Sequence, residues 1–362
     1  MNVYEVKKDY MEKQAAYRRK AFKKQKLRQL FFEFTLNCNE HCWHCGSRCG
    51  DVHPVNEMTA DEWKAVLDHV KENFGEKLPQ INVTGGEPLL YPHFEEVMSY
   101  AHALGFKWGM TSNAILITKD VAEMLKRCGM GTISVSIDGL RDTHDRLRGL
   151  TGAYDRAMAG IQNLIDLKFA RHIMITTVVN HETIQELEPL YKIMCDIDID
   201  SWRVIGVEPL GRALQYPEKL MTPDDQKTLM DFIRSKRAED MPVTYGCSHY
   251  LGLDYEMEVR DWYFFCMAGV SIASITSTGD VTACLDIART PSVIQGNIRE
   301  RSFADIWNNE FKAFRYDKAE DDTTCKDCKS REFCMGGSCH TWDFEEKKQR
   351  LCLLNELNTA MV

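Results

Sequence analysis

The chain reads as an α/β protein: a partial (β/α)6 barrel of parallel strands, followed by a loop-rich module dense in cysteine. Three observations predict this. Strand-like and helix-like stretches alternate with a period near 30 residues up to about residue 210, the mark of βαβ units and a parallel sheet. Six such units are too few to close an eight-stranded barrel. From about residue 240 the pattern turns to short strands, turns and cysteines, a composition held by metal rather than by a large apolar core.

The elements follow in order. Residues 1–29 form a basic helical extension, since 1–28 carry ten Lys and Arg against three acids, with the tract Arg18-Arg19-Lys20-Ala21-Phe22-Lys23-Lys24. That face is either solvated or an anchor for an acidic peptide or partner. Strands are expected at 30–36, 80–84, 106–111, 132–137, 172–179 and 202–207, and helices near 59–74, 92–104, 118–128, 153–168 and 183–195. Thr59-Ala60-Asp61-Glu62 is a capping-box start for the first of these helices. The barrel accordingly spans 30–221. A bridging segment, 222–265, opens on Thr222-Pro223-Asp224-Asp225, with proline at the first helical position of a helix over about 222–239. Residues 266–362 make up the cysteine-rich domain.

Composition excludes several classes of function. The 362 residues can bury a large core in about two domains. A net charge of −9 and a pI near 5.7 exclude a general grip on nucleic acid. No apolar run approaches the ~18 residues of a membrane span, and the N-terminal residues lack the apolar core of a secretory signal, so a cytoplasmic protein is expected. Fourteen cysteines in a reducing compartment point to metal ligation, not to a disulfide framework.

The most informative cysteines are Cys38, Cys42 and Cys45, a C-x3-C-x2-C run directly after the first strand. Three thiolates on so short a loop can converge only if the loop wraps one object, and the spacing suits three corners of an iron–sulfur cluster. A fourth ligand is missing from the run, which leaves one iron open to a small chelating cofactor. One βα unit later, Gly85-Gly86-Glu87-Pro88 follows the second strand. Its two glycines let the backbone approach a ligand closely, and Glu87 offers a negative partner.

The order of strand, C-x3-C-x2-C and Gly-Gly-Glu-Pro resembles the radical S-adenosylmethionine (SAM) superfamily. The resemblance implies a TIM-like partial barrel and a [4Fe-4S] cluster on Cys38, Cys42 and Cys45, whose open iron binds SAM through its amine and carboxylate. Reductive cleavage of SAM would give a 5′-deoxyadenosyl radical that abstracts hydrogen. Gly85, Gly86, Glu87 and Pro88 would lie at the methionyl amine. Asn113, closing Thr111-Ser112-Asn113, would touch the cofactor as well. Ser134 to Gly139 and the tail His144-Asp145-Arg146-Leu147-Arg148-Gly149 resemble the peptide- and protein-modifying branch, in which residues at the Ser136 and Arg148 positions hold the SAM carboxylate. A guanidinium suits that task because its fork pairs with a carboxylate bidentately. Gly206 to Ala213 would line the adenosine side.

Cys266, Gly279-x4-Cys284, Cys325-x2-Cys328-x5-Cys334-x3-Cys339 and Cys352 follow the seven-cysteine SPASM pattern, supported by Gly296-Asn297-Ile298 and Asp305-Ile306-Trp307. A zinc site is the rival reading of a C-x2-C pair. The resemblance implies a SPASM domain with two auxiliary [4Fe-4S] clusters, hence three clusters and roughly twelve irons per chain. Cys325, Cys328, Cys334 and Cys352 would hold the farther one. Cys266, Cys284 and Cys339 would hold the nearer, one ligand short: either Cys247 completes it or one iron stays open. Cys49 is read as a non-ligand, because a fourth thiolate would block the SAM site. Cys128 and Cys195, at helix ends, are read as small buried hydrophobes. Asp286 stands two residues after Cys284, where sulfatase-maturing relatives carry a catalytic aspartate one residue after it. Tyr245, Tyr255 and Tyr263 are further proton-donor candidates.

The expected activity is hydrogen abstraction from a ribosomally made peptide, leading to crosslinking or oxidation of a side chain. The alternatives are oxidation of a sulfatase Cys or Ser, modification of a small molecule, and a non-catalytic iron–sulfur electron carrier. Expected partners are a peptide or protein substrate, an electron donor such as flavodoxin or ferredoxin, and a separate leader-peptide-binding protein if the basic extension does not serve. No nucleic acid and no membrane are expected.

Overall fold

The computed structural model describes residues 2–51, 54–239, 241–261 and 265–360. Tyr263 lies outside the described residues. A helix α1, Val3–Lys24, precedes the alternating units. These are β1 (Gln29–Glu33), α2 (Ala60–Phe74), β2 (Gln80–Thr84), α3 (Phe94–Ala103), β3 (Trp108–Ser112), α4 (Lys119–Arg127), β4 (Met130–Ser136), α5 (Arg141–Arg148), α6 (Ala153–Leu167), β5 (His172–Val179), α7 (Leu187–Cys195) and β6 (Ser201–Gly206). After α8 (Pro223–Lys236) come β7 (Val243–Tyr245), β8 (Ile272–Ile275), β9 (Asp280–Thr282) and β10 (Gly296–Asn297).

Strands β1 to β6 pair in sequence order and in parallel, so each helix crosses back over the sheet as a βαβ unit requires. Leu30 stands opposite Ile81 on one side and Ala273 of β8 on the other. The parallel sheet therefore runs beyond the six expected strands. Strand β7 joins β6, with Val243 opposite Trp202, and β8 joins β1. Antiparallel β9 and β10 extend that edge, giving the order β10-β9-β8-β1-β2-β3-β4-β5-β6-β7 with no closing pair. The barrel stays open, and the cysteine-rich module grows directly from one side of it.

Local chemistry explains the elements. Thr59 and Glu62 form the capping box at the start of α2, and α8 starts at Thr222 with Pro223 as its first residue. Helix α2 buries Trp63, Val66, Leu67 and Val70, each Val or Leu contributing about 1.5–3 kcal/mol. Its Trp63 ring meets Phe32 at 4.7 Å and Phe34 at 5.1 Å. Strand β1 ends at Glu33, earlier than the apolar run to 36. The Thr35 hydroxyl there accepts from Asn37 N–H at 3.0 Å and turns the backbone into the cysteine loop. Helix α5 was not expected. It is almost wholly polar, but Leu147 and Arg148 are buried and Gly149 caps it at φ 66°. Two cysteines read as buried hydrophobes part company: Cys128 is buried, whereas Cys195 is exposed at the end of α7.

Helix α1 is neither fully solvated nor free. Met11 and Ala15 pack with Tyr250, Phe265, Phe333 and Met335 of the later chain. Arg18, 2% exposed, donates to the Cys334 carbonyl at 2.9 Å and sits over the Phe265 ring at 5.1 Å. The remaining basic residues of the tract, Arg19, Lys20, Lys23 and Lys24, are exposed. Among the described residues no helix is long and apolar enough to cross a membrane.

Candidate active site

The loop after β1 carries Cys38, Cys42 and Cys45 in successive tight turns, with Cys45 N–H donating to the Cys42 carbonyl at 3.3 Å. It is braced from two sides. His41 N–H donates to the Arg148 carbonyl at 2.9 Å. Arg212, from the exit of β6, donates to the carbonyls of Cys42 at 2.8 Å and Cys49 at 2.9 Å, and to Asp51 at 2.6 Å. Gly211 must be glycine there, since a Cβ would collide with the carbonyls of Cys45 and Gly46. Arg212 lies in the Gly206 to Ala213 stretch expected on the adenosine side, and its side chain is spent on bracing the cysteine loop.

Burial pushes the Cys38 thiol up to about 11 and the Cys42 thiol up to about 12. Such thiols keep their protons until a metal takes the proton's place, which is how a cluster is loaded. Cys45 differs: the Cys49 thiol beside it, against the cost of burial, lowers it to about 6. Cys49 itself donates to the Gly85 carbonyl at 3.4 Å. Both Cys38 and Cys42 lie within electrostatic reach of Cys45. Three such cysteines on a loop braced from both sides fit a cluster with one free corner.

Gly85 and Gly86 run flush against this loop. A Cβ on Gly85 would strike the Thr35 carbonyl, and one on Gly86 the Asn37 carbonyl. Gly86 and Glu87 instead donate their N–H groups to those carbonyls, at 2.7 and 2.9 Å. Glu87 is fully buried, its carboxylate accepting from Ser112 Oγ at 3.0 Å, Asn113 N–H at 3.0 Å and Leu89 N–H at 3.2 Å. Its carboxylate thus locks the β2 exit to the β3 exit, and burial pushes it up to about 7. Pro88 is buried and opens a short helical turn. Asn113 donates to Asn39 Oδ1 in the cysteine loop at 2.6 Å.

Ser136 ends β4, half-buried. Arg148, 7% exposed, lies between Asp138, 2.6 Å from its Nη2, and Glu40, 3.0 Å from its Nη1. His44 Nε2 is 3.1 Å from the same Asp138. Burial opposes a charge on Asp138, yet Arg148 and His44 hold it well below the usual carboxylate range. Arg148 Nε is buried with no partner in the protein, a donor of the kind that suits a ligand carboxylate. Glu40, invisible as a site residue in the sequence, belongs to this network.

In the later chain, Cys325, Cys328, Cys334 and Cys352 all line one small hollow, and burial raises Cys325 and Cys334 to about 12. Cys266 and Cys339 share a hydrogen bond, and Cys284 lies within electrostatic reach of Cys266. Lys318, 1% exposed, donates to Cys339 Sγ at 3.4 Å and brings a buried positive charge to this trio. Cys247 stands with Glu208, His249 and His340. Burial opposes charge at Glu208 and His249, yet Glu208 lies well below the carboxylate range beside His340 and His249, while His249 is raised to about 9 beside Glu208.

Between the two ends lies an inner cavity of ≈ 380 Å³, walled by Gly85, Thr111, Glu33, Cys266 and Cys284. An outer cavity of ≈ 530 Å³ adjoins it, and Ser47, Leu285, Asp286 and His340 line both. Asp286 is ringed by protein but faces this hollow space, so it is accessible while burial still raises its carboxyl. A side chain at Gly46 would approach Asp286 Oδ1 to 3.3 Å, which puts the carboxylate at the cysteine loop. Tyr255 is engaged elsewhere, donating to Asp231 at 2.9 Å, and Tyr245 is buried.

The Radical SAM superfamily model matches residues 32–194, and the SPASM model, an iron–sulfur cluster-binding domain, matches 266–329. An AdoMet-dependent heme synthase of Methanosarcina barkeri is 28% identical over 327 residues, covering 85% of this chain and 90% of that protein. The mycofactocin maturase MftC of Mycobacterium tuberculosis is 27% identical over 313 residues, covering 85% and 77%. Streptococcus suis SuiB bound to S-adenosylmethionine superposes with a TM-score of 0.72 at 18% identity, covering 91% of this chain and 77% of that one. Native anSMEcpe with bound AdoMet gives 0.69 at 19% identity, covering 92% and 94%. At such identities the structural likeness is one of fold.

Proposed function

We propose that this chain, which belongs to the radical SAM superfamily and carries a SPASM iron–sulfur domain, oxidatively modifies a side chain of a peptide or protein. SAM, bound at a reduced [4Fe-4S] cluster, supplies a 5′-deoxyadenosyl radical for hydrogen abstraction. The chain supplies the rest. Cys38, Cys42 and Cys45 hold the first cluster, and Arg212 and Gly211 keep their loop rigid. The close-packed Gly85-Gly86 turn, Pro88 and Asn113 form the amine side of the cofactor pocket, with Glu87 fixing their spacing. Ser136 and the unpartnered Nε of Arg148 form the carboxylate side. Cys266, Cys284 and Cys339 would hold a nearer auxiliary cluster and Cys325, Cys328, Cys334 and Cys352 a farther one, which would supply an acceptor for the electron left by the oxidation. A flavodoxin- or ferredoxin-type protein would be the chain's electron donor. Asp286 takes the substrate proton.

The observation that carries the peptide reading is the pair of joined cavities. The inner one, between the Gly85 turn and Cys266–Cys284, takes one side chain, and the outer one takes the backbone around it. MftC, by its name a maturase, is among the relatives. A second reading, a tetrapyrrole substrate, is favoured by the heme synthases among the relatives, one of which the chain matches over 90% of its length. Either substrate would lie against Asp286, which lines both cavities.

The test uses anaerobically reconstituted, dithionite-reduced protein with SAM and a perdeuterated cell extract divided by size. The peptide reading expects deuterium in 5′-deoxyadenosine from the polypeptide fraction, lost after proteinase treatment. Label arriving only with the porphyrin-containing fraction would establish the second reading, and label from neither would sink both.

A further inference from the structure

Four side chains of metal-binding type converge at the seam between the barrel and the cysteine-rich module. Glu208 comes from the exit of β6, Cys247 and His249 from the segment after β7, and His340 directly follows Cys339. One ligand atom of each lies within 4.8 Å of all the others. Cys247 Sγ is 2.6 Å from Glu208 Oε1, and His249 Nε2 is 3.0 Å from the same oxygen. His340 Nε2 is 2.6 Å from Glu208 Oε2 and 3.5 Å from Cys247 Sγ.

We propose that Glu208, Cys247, His249 and His340 bind a single divalent ion of the zinc class, separate from the iron–sulfur clusters. Spacing is the first argument. Ligand atoms at about 2.0–2.3 Å from a tetrahedral ion stand about 3.3–3.8 Å apart; the close pairs here stand at 2.6–3.5 Å and all four atoms lie within 4.8 Å of one another, a group compact enough for one small ion to seat by spreading its closest pairs, whereas ligands on the corners of a cube stand further apart. Among the described residues this is the group that converges so tightly.

The donor set is the second argument. A buried glutamate and two histidines could be satisfied as an ion-paired network without a thiol. Here the thiol sulfur stands closer to the carboxylate than a thiol hydrogen bond ordinarily brings it. Glu208 Oε2 lies 2.6 Å from His340 Nε2, so both oxygens of the carboxylate face ligand-type atoms of the group. Four ligand-type side chains whose donor atoms pack this closely are placed to act as co-ligands of one ion.

The third argument is the surrounding support. The His340 ring is held by Ser338 Oγ, 2.9 Å from Nδ1 and 3.2 Å from Nε2 and itself 2.8 Å from Ser248 Oγ. Arg260 donates to the carbonyls of Cys247 and His249 at 2.7 and 2.8 Å and is anchored by Glu256.

Four protein ligands leave no open position, so the ion is a staple rather than a hydrolytic centre. It pins the β6 exit, whose Gly211 and Arg212 brace the first cysteine loop, to His340 beside Cys339. It also commits Cys247, leaving the nearer auxiliary cluster with Cys266, Cys284 and Cys339.

The test is elemental analysis and zinc-edge X-ray absorption on protein purified anaerobically with its clusters intact. About one zinc per chain is expected, with one sulfur at about 2.3 Å and three nitrogen or oxygen ligands at about 2.0–2.1 Å. His249→Gln should lose the zinc and keep the iron. Three results would each overturn the assignment: no zinc retained after incubation with Zn²⁺ and desalting, an all-sulfur zinc shell, or Cys247→Ser releasing iron rather than zinc. The wild-type spectrum decides even if a variant fails to fold.

Discussion

Arg148 Nη2 lies 2.6 Å from Asp138 Oδ2, so the end of α5 is tied back to the exit of β4 by a buried ion pair. Glu40 is drawn into it at 3.0 Å, bringing the cysteine loop to the same guanidinium. Arg148→Ala leaves two buried carboxylates without their cation. Removing one partner of such a pair costs about 3–5 kcal/mol, so denaturant unfolding of the metal-free variant should shift by that order. Arg148→Lys keeps the charge but not the fork and the free Nε. It should fold better than the alanine variant yet bind SAM weakly in calorimetric titration of the cluster-loaded protein. Wild-type SAM affinity in the lysine variant would contradict the carboxylate role.

Glu87 makes a prediction about pH. Burial raises its carboxyl from the ordinary 4.5 to about 7 in the folded chain. The unfolded chain therefore releases this proton first as pH rises. Stability associated with Glu87 is fully present below about 4.5 and is lost as pH climbs to about 7, by on the order of 3 kcal/mol. Unfolding of wild type and Glu87→Gln at pH 5 and pH 8 checks this: the wild type should lose ground to the variant at the higher pH. An unchanged difference would mean the carboxylate is ionised throughout.

Much of this architecture was legible in the residues, and the exceptions share a cause. Strands β1 to β6 and their helices carry local periodicity, and the capping box at Thr59 marks one boundary within a residue. Strands β7 and β8 span three and four residues, too short for a pattern, and β8 finds its partner β1 more than 200 residues upstream. Helix α5 hid because Arg141 to Arg148 is almost entirely charged or polar, with only Leu147 and the Gly149 cap as signals. Cys38, Cys42 and Cys45 were legible because they sit within eight residues, and the later cysteines, though as much as 73 residues apart within one set (339 − 266), because their order matches a known pattern. Glu40 acts on the first loop from a polar position without a motif, while Arg212 lies in a stretch read as lining the adenosine side and braces that loop instead. The Glu208, Cys247, His249 and His340 group was invisible because its members lie up to 132 residues apart (340 − 208) and only the fold brings them together.

The two ends of the molecule should separate by mutation. Cys42 lies in the loop packed against the Gly85-Gly86 turn, while Cys334 shares a hollow with Cys325, Cys328 and Cys352. Each substitution to alanine should cost about a third of the iron, one cluster of three. Cys42→Ala should abolish 5′-deoxyadenosine formation, whereas Cys334→Ala should retain uncoupled SAM cleavage and lose product. Equal loss of cleavage in both variants would contradict the division of labour.

Asp286 offers the sharpest separation of chemistry from scaffold. It lines both cavities, sits against Gly46, and keeps its proton to a higher pH than an ordinary aspartate because burial opposes its charge. A neutral carboxyl cannot accept a proton. Product formation in the wild type should therefore rise with pH through this raised pKa, while SAM cleavage, which does not use the group, should not follow. Asp286→Asn should remove that limb and lower product formation by about 10²–10⁴-fold, the usual loss for a missing general base. Iron content and 5′-deoxyadenosine yield should stay near wild type, because no described cluster cysteine or SAM-pocket residue depends on this side chain for a hydrogen bond. Parallel loss of cleavage and product, with the pH limb intact, would show that Asp286 only shapes the wall between the cavities.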